Sequence, residues 1–348
     1  MADWQEIAVA FEQQAVACDR LGSPFTAYLC TCLPSLLADD PVLGAALAAW
    51  PADPVESALA LRLCGALHRL VRSGRVPDLA ALYPPAASTG PALDRALAAS
   101  AETHGALLVE WLASAPQTNE VARSGVLLGG LLTIAAKTGL PLTLLEIGSS
   151  AGLNLYPDAY AYDLAHGRTW GRADAEVRIA SDWRGSLPPL DASLQIVARA
   201  GVDLATVNAA DRDQRERMLA YIWPDQPERL ARAAAALDHV AAHPPDLARG
   251  DAAEWLEARL AEPAEAGTTR VLIHSIMWQY LPARTQARIE AAMDRAGAAA
   301  TGEAPLAWLR LEPDGKAGSA AIPLTLWPGG GTRELGRGDY HGRFAEWV

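Results

Sequence analysis

The sequence predicts an α/β fold in which an all-helical N-terminal domain precedes a mostly parallel sheet. Residues 1–138 carry apolar residues at helical spacing and show no strand pattern. From residue 139 onward, short apolar runs alternate with helical segments, which is typical of parallel βα units. The last two apolar runs have no helix between them, so these strands must run antiparallel. We therefore expect a helical domain over 1–138 and an α/β domain over 139–348.

Amphipathic segments define the predicted N-terminal domain. Apolar residues recur every three or four positions in residues 4–21, 54–71 and 91–113, and Pro, Gly and Ser residues separate these segments. Residues 119–137 form one more predicted helix. This helix is apolar nearly all round after Arg123, which indicates that it is buried.

Seven apolar runs predict the strands of the C-terminal domain. They are residues 142–147, 196–199, 245–251, 270–275, 305–311, 322–327 and 343–348. The last two runs are expected to pair around residues 328–331, giving an antiparallel C-terminal hairpin. Between the runs, Asp211 is predicted to cap a helix that ends near Tyr221, and Pro227 begins the next helix. Residues 177–189 are expected to form an extra hairpin or insertion.

The composition indicates a soluble globular protein. Of the 348 residues, 51% are hydrophobic and 20% are charged, which is enough apolar material for a core. The formal net charge of −12 disfavours a nucleic-acid partner, because nucleic-acid-binding proteins normally present a basic surface. Residues 1–20 contain no basic leader, and the longest uncharged apolar stretch, residues 125–136, is far shorter than the roughly 20 residues that span a bilayer. We therefore expect a cytoplasmic protein with no membrane partner.

The cysteines give no pattern that indicates a metal site. Cys18, Cys30, Cys32 and Cys64 form no C-x-x-C pair. Cys64 and His68 are four residues apart and could lie on one helical face, but a zinc site needs more ligands than this spacing supplies. The sequence contains no H-E-x-x-H, EF-hand or Walker pattern. We expect reduced core thiols and no bound metal.

The most informative segment is residues 144–155, where an apolar strand enters a turn of small residues. We call residues 148–152 the glycine turn. Small residues allow a ligand to approach the backbone closely, and the helix predicted after the turn would direct its N–H groups at that ligand. The dinucleotide fingerprint G-x-G-x-x-G is absent. A tight βα turn without a ligand is the simplest alternative.

The glycine turn also contains a G-x-S-x-G pattern with Ser150 at the serine position, which is typical of hydrolase nucleophile elbows. Asp251 with His274 or His341 would complete the chain order Ser, acid, His. A hydrolase elbow normally follows several strands, whereas the segment before this strand is predicted to be helical. A serine hydrolase stays an alternative.

The same residues resemble the first motif of class I S-adenosylmethionine-dependent methyltransferases, acidic-x-Gly-x-Gly-x-Gly. Glu146, Gly148 and Gly152 match this motif, and Ser150 replaces the middle glycine. The resemblance implies a Rossmann-like, class I methyltransferase-type sheet that binds S-adenosylmethionine. These four residues, together with Asn154, would then contact the cofactor.

The resemblance also implies roles for residues at the ends of later strands. Asp203, after the second strand, would bind the ribose hydroxyls, and Asp251, after the third, would lie near the adenine. His274 ends the fourth strand at the expected substrate edge, where it would act as a catalytic base. Tyr280 is the second predicted catalytic residue.

Residues on either side of the glycine turn carry further hypotheses. Arg123 would bind the carboxylate of the methionine moiety or of an acidic substrate; the alternative is an internal ion pair with Glu120, one helical turn away. Asp158, Tyr160 and Tyr162 would line the mouth of the pocket or, alternatively, pack and form hydrogen bonds.

Nearly the whole chain resembles the bacterial domain-of-unknown-function family 2332. The matching stretches are residues 119–124, 144–155, 158–162, 223–226, 274–281, 305–313 and 327–330. The family name implies no activity. From the glycine turn and the residues at the later strand ends, we predict an S-adenosylmethionine-dependent methyltransferase that acts on a small molecule. The alternatives are a methyltransferase-like interaction module without catalysis and the serine hydrolase.

Overall fold

The computed structural model describes residues 3–348, so the first two residues of the predicted helical domain lie outside the described part. Its helices are α1 (Trp4–Arg20), α2 (Pro24–Leu37), α3 (Leu43–Ala48), α4 (Leu59–Arg72), α5 (Pro77–Ala80), α6 (Pro91–Leu112), α7 (Ser124–Thr138), α8 (Arg212–Ala220), α9 (Pro227–Ala242), α10 (Ala252–Ala261) and α11 (Ala283–Ala299). Its strands are β1 (Leu142–Ile147), β2 (Ala161–Asp163), β3 (Thr169–Gly171), β4 (Arg178–Ala180), β5 (Asp182–Gly185), β6 (Ile196–Asp203), β7 (Asp246–Arg249), β8 (Thr269–Ser275), β9 (Leu306–Leu311), β10 (Ala320–Trp327), β11 (Gly331–Gly338) and β12 (Phe344–Trp347).

The chain divides into two compact units. The helical unit combines Met1–Thr118 with Asp211–Ala234, and the sheet unit combines Asn119–Ala210 with Ala235–Val348. The predicted boundary between residues 138 and 139 therefore differs from this division, because residues 119–138 belong to the sheet unit.

The helical unit packs amphipathic helices around a leucine-rich core. Its first helix, α1, begins with a capping box: the Asp3 carboxylate accepts a hydrogen bond from the first turn, and the Glu6 carboxylate accepts one from the Asp3 backbone. Leucines such as Leu29, Leu63 and Leu97 are at most 1% exposed. Burial of this apolar surface supplies the main stabilisation of the unit.

The segment 211–234 joins the helical unit, although the sequence predicts its helices as part of the α/β domain. Asp211 caps α8 as predicted and accepts hydrogen bonds from two backbone N–H groups of the first turn. The Asp225 carboxylate accepts hydrogen bonds from the Ser23 hydroxyl and from the Phe25 backbone, so it also caps the start of α2. These polar contacts fix the segment to helices that lie about 200 residues earlier in the chain.

The sheet unit contains a nine-stranded sheet in the order β5-β12-β11-β10-β9-β8-β1-β6-β7. The strands from β9 to β7 in this order are parallel, β10 and β11 run antiparallel to their neighbours, and β12 pairs with β5 in parallel. The unit is therefore an α/β fold with a large, mostly parallel sheet. The buried helix α7 packs closely on it, because a Cβ at Gly130 would come within 2.3 Å of the Leu309 side chain.

The antiparallel part of the sheet differs from the predicted pairing. β10 pairs with β11, and the predicted partner of β10, β12, pairs with β11 instead. The first half of β11 is exposed and contains Arg333 and Glu334, so it lacks the apolar run from which the other strands are predicted. Of the two forms expected for residues 177–189, a hairpin does not form, because β4 joins a separate three-stranded sheet and β5 joins the large one. These strands instead belong to an insertion between β1 and β6.

The helix predicted after the glycine turn does not form. Two short 3-10 turns, Leu153–Leu155 and Pro157–Ala159, follow the turn and lead into β2. Residues 153–195 are all described and contain no α-helix. Pro157 has no backbone N–H to continue a helical hydrogen-bond ladder, which explains why the apolar segment cannot continue as a helix.

Two further predictions concern membranes and metals. Val121–Thr138 is long and apolar enough to cross a membrane, but 72% of this window is buried inside the protein, as in a core helix. All four cysteines are free, and Cys18, Cys30 and Cys64 are buried. Within residues 3–348, no group of three or more His, Cys, Asp or Glu side chains is arranged to hold a metal ion.

Candidate functional site

The glycine turn lies at the point where the parallel strand order reverses. The chain that leaves β1 continues to β6 on one side, whereas β8 lies on the other side of β1. In open α/β sheets, ligands bind in the crevice beyond the carboxyl ends of the strands at such a point. The turn that follows β1 is therefore at the expected position for a ligand site.

Every second residue of the glycine turn has a left-handed backbone conformation. Their φ angles are +70° at Gly148, +53° at Ser150 and +75° at Gly152. Glycine adopts this conformation without strain, but a serine does not. Ser150 therefore has a backbone conformation that favours glycine.

Hydrogen bonds from neighbouring segments hold the turn rigidly. The Ser150 N–H donates to the Asp203 carboxylate at 2.9 Å, and the Leu153 N–H donates to the Asn119 side-chain oxygen at 3.0 Å. Asp203 also accepts a hydrogen bond from the Ala205 backbone at 2.9 Å. The structure thus brings Asp203 to the turn, as predicted, and gives it a positioning contact. Asn119, which the sequence does not single out, has a φ angle of +39°, a conformation that asparagine tolerates.

Several buried polar atoms around the turn have no hydrogen-bond partner among the described residues. They are one carboxylate oxygen of Glu146, the hydroxyls of Ser149 and Ser150, and both amide atoms of Asn154. These four residues are at most 3% exposed. Leaving a polar group both buried and unpaired costs about 1–3 kcal/mol, so such groups are uncommon in native proteins and concentrate at functional sites. Of these residues, only Ser149 is not singled out by the sequence.

Glu146, near the end of β1, is the only acid among these four residues. Burial raises the pKa of Glu146 well above its ordinary value, the nearby Asp203 carboxylate raises it further, and the Arg123 guanidinium lowers it. Burial and the Asp203 carboxylate therefore both favour the neutral form of this side chain. A cationic ligand would favour its ionised form.

Arg123 connects two loops at the same edge of the sheet. Its guanidinium donates to the backbone carbonyls of Ser275, at the end of β8, and Tyr340. Glu120 is buried and accepts a hydrogen bond from the Ala122 backbone. Arg123 also lies near enough to Glu146 to lower the pKa of that carboxyl. Its contact with Ser275 places the guanidinium at the end of β8, the strand predicted to end at the substrate.

His274 is fully buried on β8, and both of its ring nitrogens have partners. The Trp308 indole N–H, which can only donate, donates to Nε2 at 3.0 Å. The proton of the ring therefore lies on Nδ1, which donates to the Glu312 carboxylate at 2.6 Å. This geometry leaves His274 no free nitrogen to accept a proton from a substrate, which disfavours the predicted role as a catalytic base.

Two other predicted site residues have partners away from the turn or face solvent. Asp251 caps α10 by accepting a hydrogen bond from the Glu254 backbone, and it lies 3.7 Å from the Arg288 guanidinium. Tyr280 lies in the turn that follows β8 and is 75% exposed. Their predicted roles at adenine and in catalysis stay predictions.

The residues that follow the turn are packed and hydrogen-bonded within the fold. Asp158 forms an ion pair with Arg199, the Tyr160 hydroxyl donates to the Leu153 carbonyl, and Tyr162 is bonded to Pro157. Both tyrosines are at most 2% exposed. This arrangement favours the packing alternative for these residues over a pocket mouth.

The hydroxyl of Ser150 has no hydrogen-bond partner among residues 3–348. A serine nucleophile needs a general base within hydrogen-bond reach, and both nitrogens of His274 bond elsewhere. The arrangement therefore provides no Ser–His pair of the kind that the hydrolase alternative requires with His274.

One comparison with known proteins gives a match. The family model of domain-of-unknown-function family 2332, described as an uncharacterized protein conserved in bacteria, matches residues 8–347. No curated protein and no solved structure matches the chain. The match agrees with the resemblance of the sequence motifs and leaves the activity to be inferred from the site.

Proposed function

Because the chain belongs to domain-of-unknown-function family 2332, whose description gives no activity, we propose a function from its own residues. The protein binds S-adenosylmethionine at the glycine turn and methylates a small molecule. One observation carries this proposal: unpartnered buried polar atoms surround a rigid turn at the strand-order reversal, with the carboxylates of Glu146 and Asp203 beside it.

The chemistry of the turn favours an adenosine ligand that presents positive charge over a phosphate-bearing one. Phosphate sites at such turns use the N-terminus of the following helix, and residues 153–195 contain no α-helix. The Asp203 carboxylate at the turn would also repel a phosphate, and a phosphate would give Glu146 no cation to stabilise its ionised form. S-adenosylmethionine carries a sulfonium and an ammonium group, so it matches acidic surroundings.

Each charged residue near the turn has a role in this proposal. Glu146 binds the cationic part of the ligand, because an ionised carboxylate is stabilised there only when a cation lies beside it. Asp203 binds the ribose hydroxyls while its backbone contacts keep the turn in place. Arg123 attracts the carboxylate of the methionine moiety.

The remaining polar groups and the acceptor site complete the proposal. The unpartnered atoms of Ser149, Ser150 and Asn154 form hydrogen bonds with the bound ligand. S-adenosylmethionine supplies the methyl group, and the protein contributes mainly by holding donor and acceptor in line. His274 supports this edge by fixing Glu312, and Tyr280 contacts the acceptor. The acceptor is a small molecule, and we place the protein in the cytoplasm.

Calorimetric titration of the full chain with S-adenosylmethionine and S-adenosylhomocysteine tests the proposal. We expect saturable binding of both ligands. Glu146→Gln keeps the shape of the side chain and removes its charge, so binding of S-adenosylmethionine should weaken by about 10- to 100-fold, the range for a charged hydrogen bond. S-adenosylhomocysteine lacks the sulfonium charge and should be affected less.

The matched control is Glu346→Gln, which removes an exposed carboxylate on β12 and should leave both affinities unchanged. Circular dichroism establishes that each variant is folded. If the wild-type protein shows no saturable heat with either ligand at millimolar concentration, the cofactor assignment is wrong. The interaction-module alternative would then be favoured.

A further inference from the structure

A second candidate site lies in the helical unit, between the end of α4 and the start of α8. It is a cavity of about 490 Å³. Its walls include four arginines and one aromatic ring: Arg69, Arg72, Arg75, Arg212 and Trp111. We call this cavity the arginine groove. Its volume falls within the range of about 300–1,000 Å³ that is usual for small-molecule sites.

Two of the arginines have structural partners. Arg69 pairs with Asp213, and Arg72 pairs with Glu216 at 2.8 Å, so these ion pairs fasten α8 to α4. The Arg69 guanidinium also lies 4.2 Å from the centre of the Trp111 ring. The Arg69 and Arg72 side chains are largely buried, whereas the Asp213 and Glu216 side chains face solvent. Stabilising the pair of helices accounts for these two residues.

The other two arginines have no such explanation. The side chains of Arg75 and Arg212 form no hydrogen bond or ion pair with any residue of the described chain, 3–348. The walls therefore carry four positive charges against the two negative charges of Asp213 and Glu216, in a protein whose net charge is −12.

Arg212 is the first residue of α8, whose N-terminal N–H groups are already capped by the Asp211 carboxylate. The positive potential of the groove therefore comes from the arginine side chains. Arg75 and Arg212 are exposed to solvent, so their side chains are free to turn toward an anion bound in the groove. The excess of two positive charges matches a ligand with two or more negative charges.

We propose that the arginine groove binds a small oxyanion ligand with at least two negative charges, either a phosphorylated or a polycarboxylate molecule. Guanidinium groups suit both, because their planar N–H donors match two oxygens of a phosphate or carboxylate at once. The volume fits a small molecule, and the strongly negative net charge of the chain would repel a nucleic acid. This site is independent of the proposed cofactor site.

Titration of the full chain with pyrophosphate and, separately, with citrate tests this proposal. We expect saturable binding of at least one of them, weakening as sodium chloride is added. The double variant Arg75→Gln/Arg212→Gln should reduce the affinity at least tenfold. It leaves both structural ion pairs in place and should fold normally. Binding of pyrophosphate alone indicates a phosphorylated ligand, and binding of citrate alone indicates a polycarboxylate.

The matched control is Arg95→Gln, which removes an exposed arginine of α6 in the same unit and should not change the affinity. Titration with S-adenosylmethionine should give the same result for the wild type and the double variant. The proposal is overturned if neither anion binds at millimolar concentration and low salt. It is equally overturned if the double variant and Arg95→Gln weaken binding to the same extent.

Discussion

Two glutamates are buried at the carboxyl edge of the same sheet, and their surroundings differ in one respect. Glu312 is 8% exposed and accepts hydrogen bonds from the His274 ring and from the backbone N–H groups of Met277 and Trp278. Glu146 is 2% exposed, and one of its oxygens has no partner among residues 3–348. Both sites bury an acid, but only the site of Glu312 supplies donors to both of its oxygens.

This difference separates a structural acid from a candidate binding acid. A buried carboxylate whose oxygens are matched by donors ties its own segment to those that provide the donors. Here Glu312, directly after β9, is tied to β8 and to the turn after β8. A buried acid without matching donors destabilises the fold unless it serves another purpose. Both glutamates lie near strand ends, so only the surrounding contacts distinguish them.

The largest expected effect comes from Glu312→Ala. It would leave the buried His274 Nδ1–H and two partly buried backbone N–H groups without this acceptor, so we expect a loss of about 3–5 kcal/mol in the free energy of unfolding. Urea denaturation measures this loss. Glu146→Ala is the matched control, because it removes the same atoms at the same edge of the sheet, and it should cost clearly less. Equal losses in the two variants would break the distinction between the two acids.

An intermediate effect should appear in the pH dependence of stability at Glu146. Burial raises the pKa of Glu146 above its ordinary value of 4.5, so the folded state retains a proton that the unfolded state has released. The stability that this proton provides is fully present below about pH 4.5 and is lost as the pH rises toward the folded-state pKa. Relative to Glu146→Gln, the wild type should therefore become progressively less stable as the pH is raised from 4.5.

Urea denaturation of the ligand-free proteins at several pH values measures this trend. The exposed variant Glu346→Gln supplies the background change from the removal of one carboxylate. A difference between wild type and Glu146→Gln that stays constant across the pH range would mean that Glu146 is as well solvated or paired as an ordinary carboxylate. In that case, the contrast with Glu312 would disappear.

Much of the fold is predictable from local patterns, because buried strands and amphipathic helices leave a direct trace in the sequence. The strand Leu142–Ile147 forms at its predicted bounds, and the helix capped by Asp211 forms as expected. β11 was not predictable from apolar runs, since its exposed half carries charged residues. Periodicity also does not identify the packing partner of a helix, so the place of segment 211–234 in the helical unit could not be read from it.

The candidate site is predictable to the extent that it is one continuous motif. Glu146 and the glycine turn follow each other in the chain, and their convergence with Asp203 follows from the parallel order of β1 and β6. The hydrogen bonds of His274 depend on Trp308 and Glu312, more than 30 residues away. The sequence spacing alone therefore could not reveal that both nitrogens of this ring are occupied.

The smallest effect, and the one that best separates strain from ligand binding, is expected for Ser150→Gly. Ser150 has a φ angle of +53° and a buried hydroxyl without a partner in the described chain, so glycine should relieve both costs. After the greater entropy of glycine in the unfolded state is counted, we expect a gain of about 0.5–1 kcal/mol in the free energy of unfolding. Ser149→Gly is the matched control: Ser149 also has a buried, unpartnered hydroxyl but an ordinary φ, so this change relieves no backbone strain and should stabilise the protein less than Ser150→Gly.

Titration of the same two variants with S-adenosylmethionine completes the test. If the Ser150→Gly protein is more stable than the wild type and its affinity for the ligand falls, the hydroxyl is held in a strained position because it contacts the ligand. If stability rises and the affinity is unchanged, the turn alone forms the site and the hydroxyl does not contribute. A loss of stability in Ser150→Gly would instead show that Ser150 has a structural partner in solution, and the group of unpartnered atoms around Glu146 would be smaller by one.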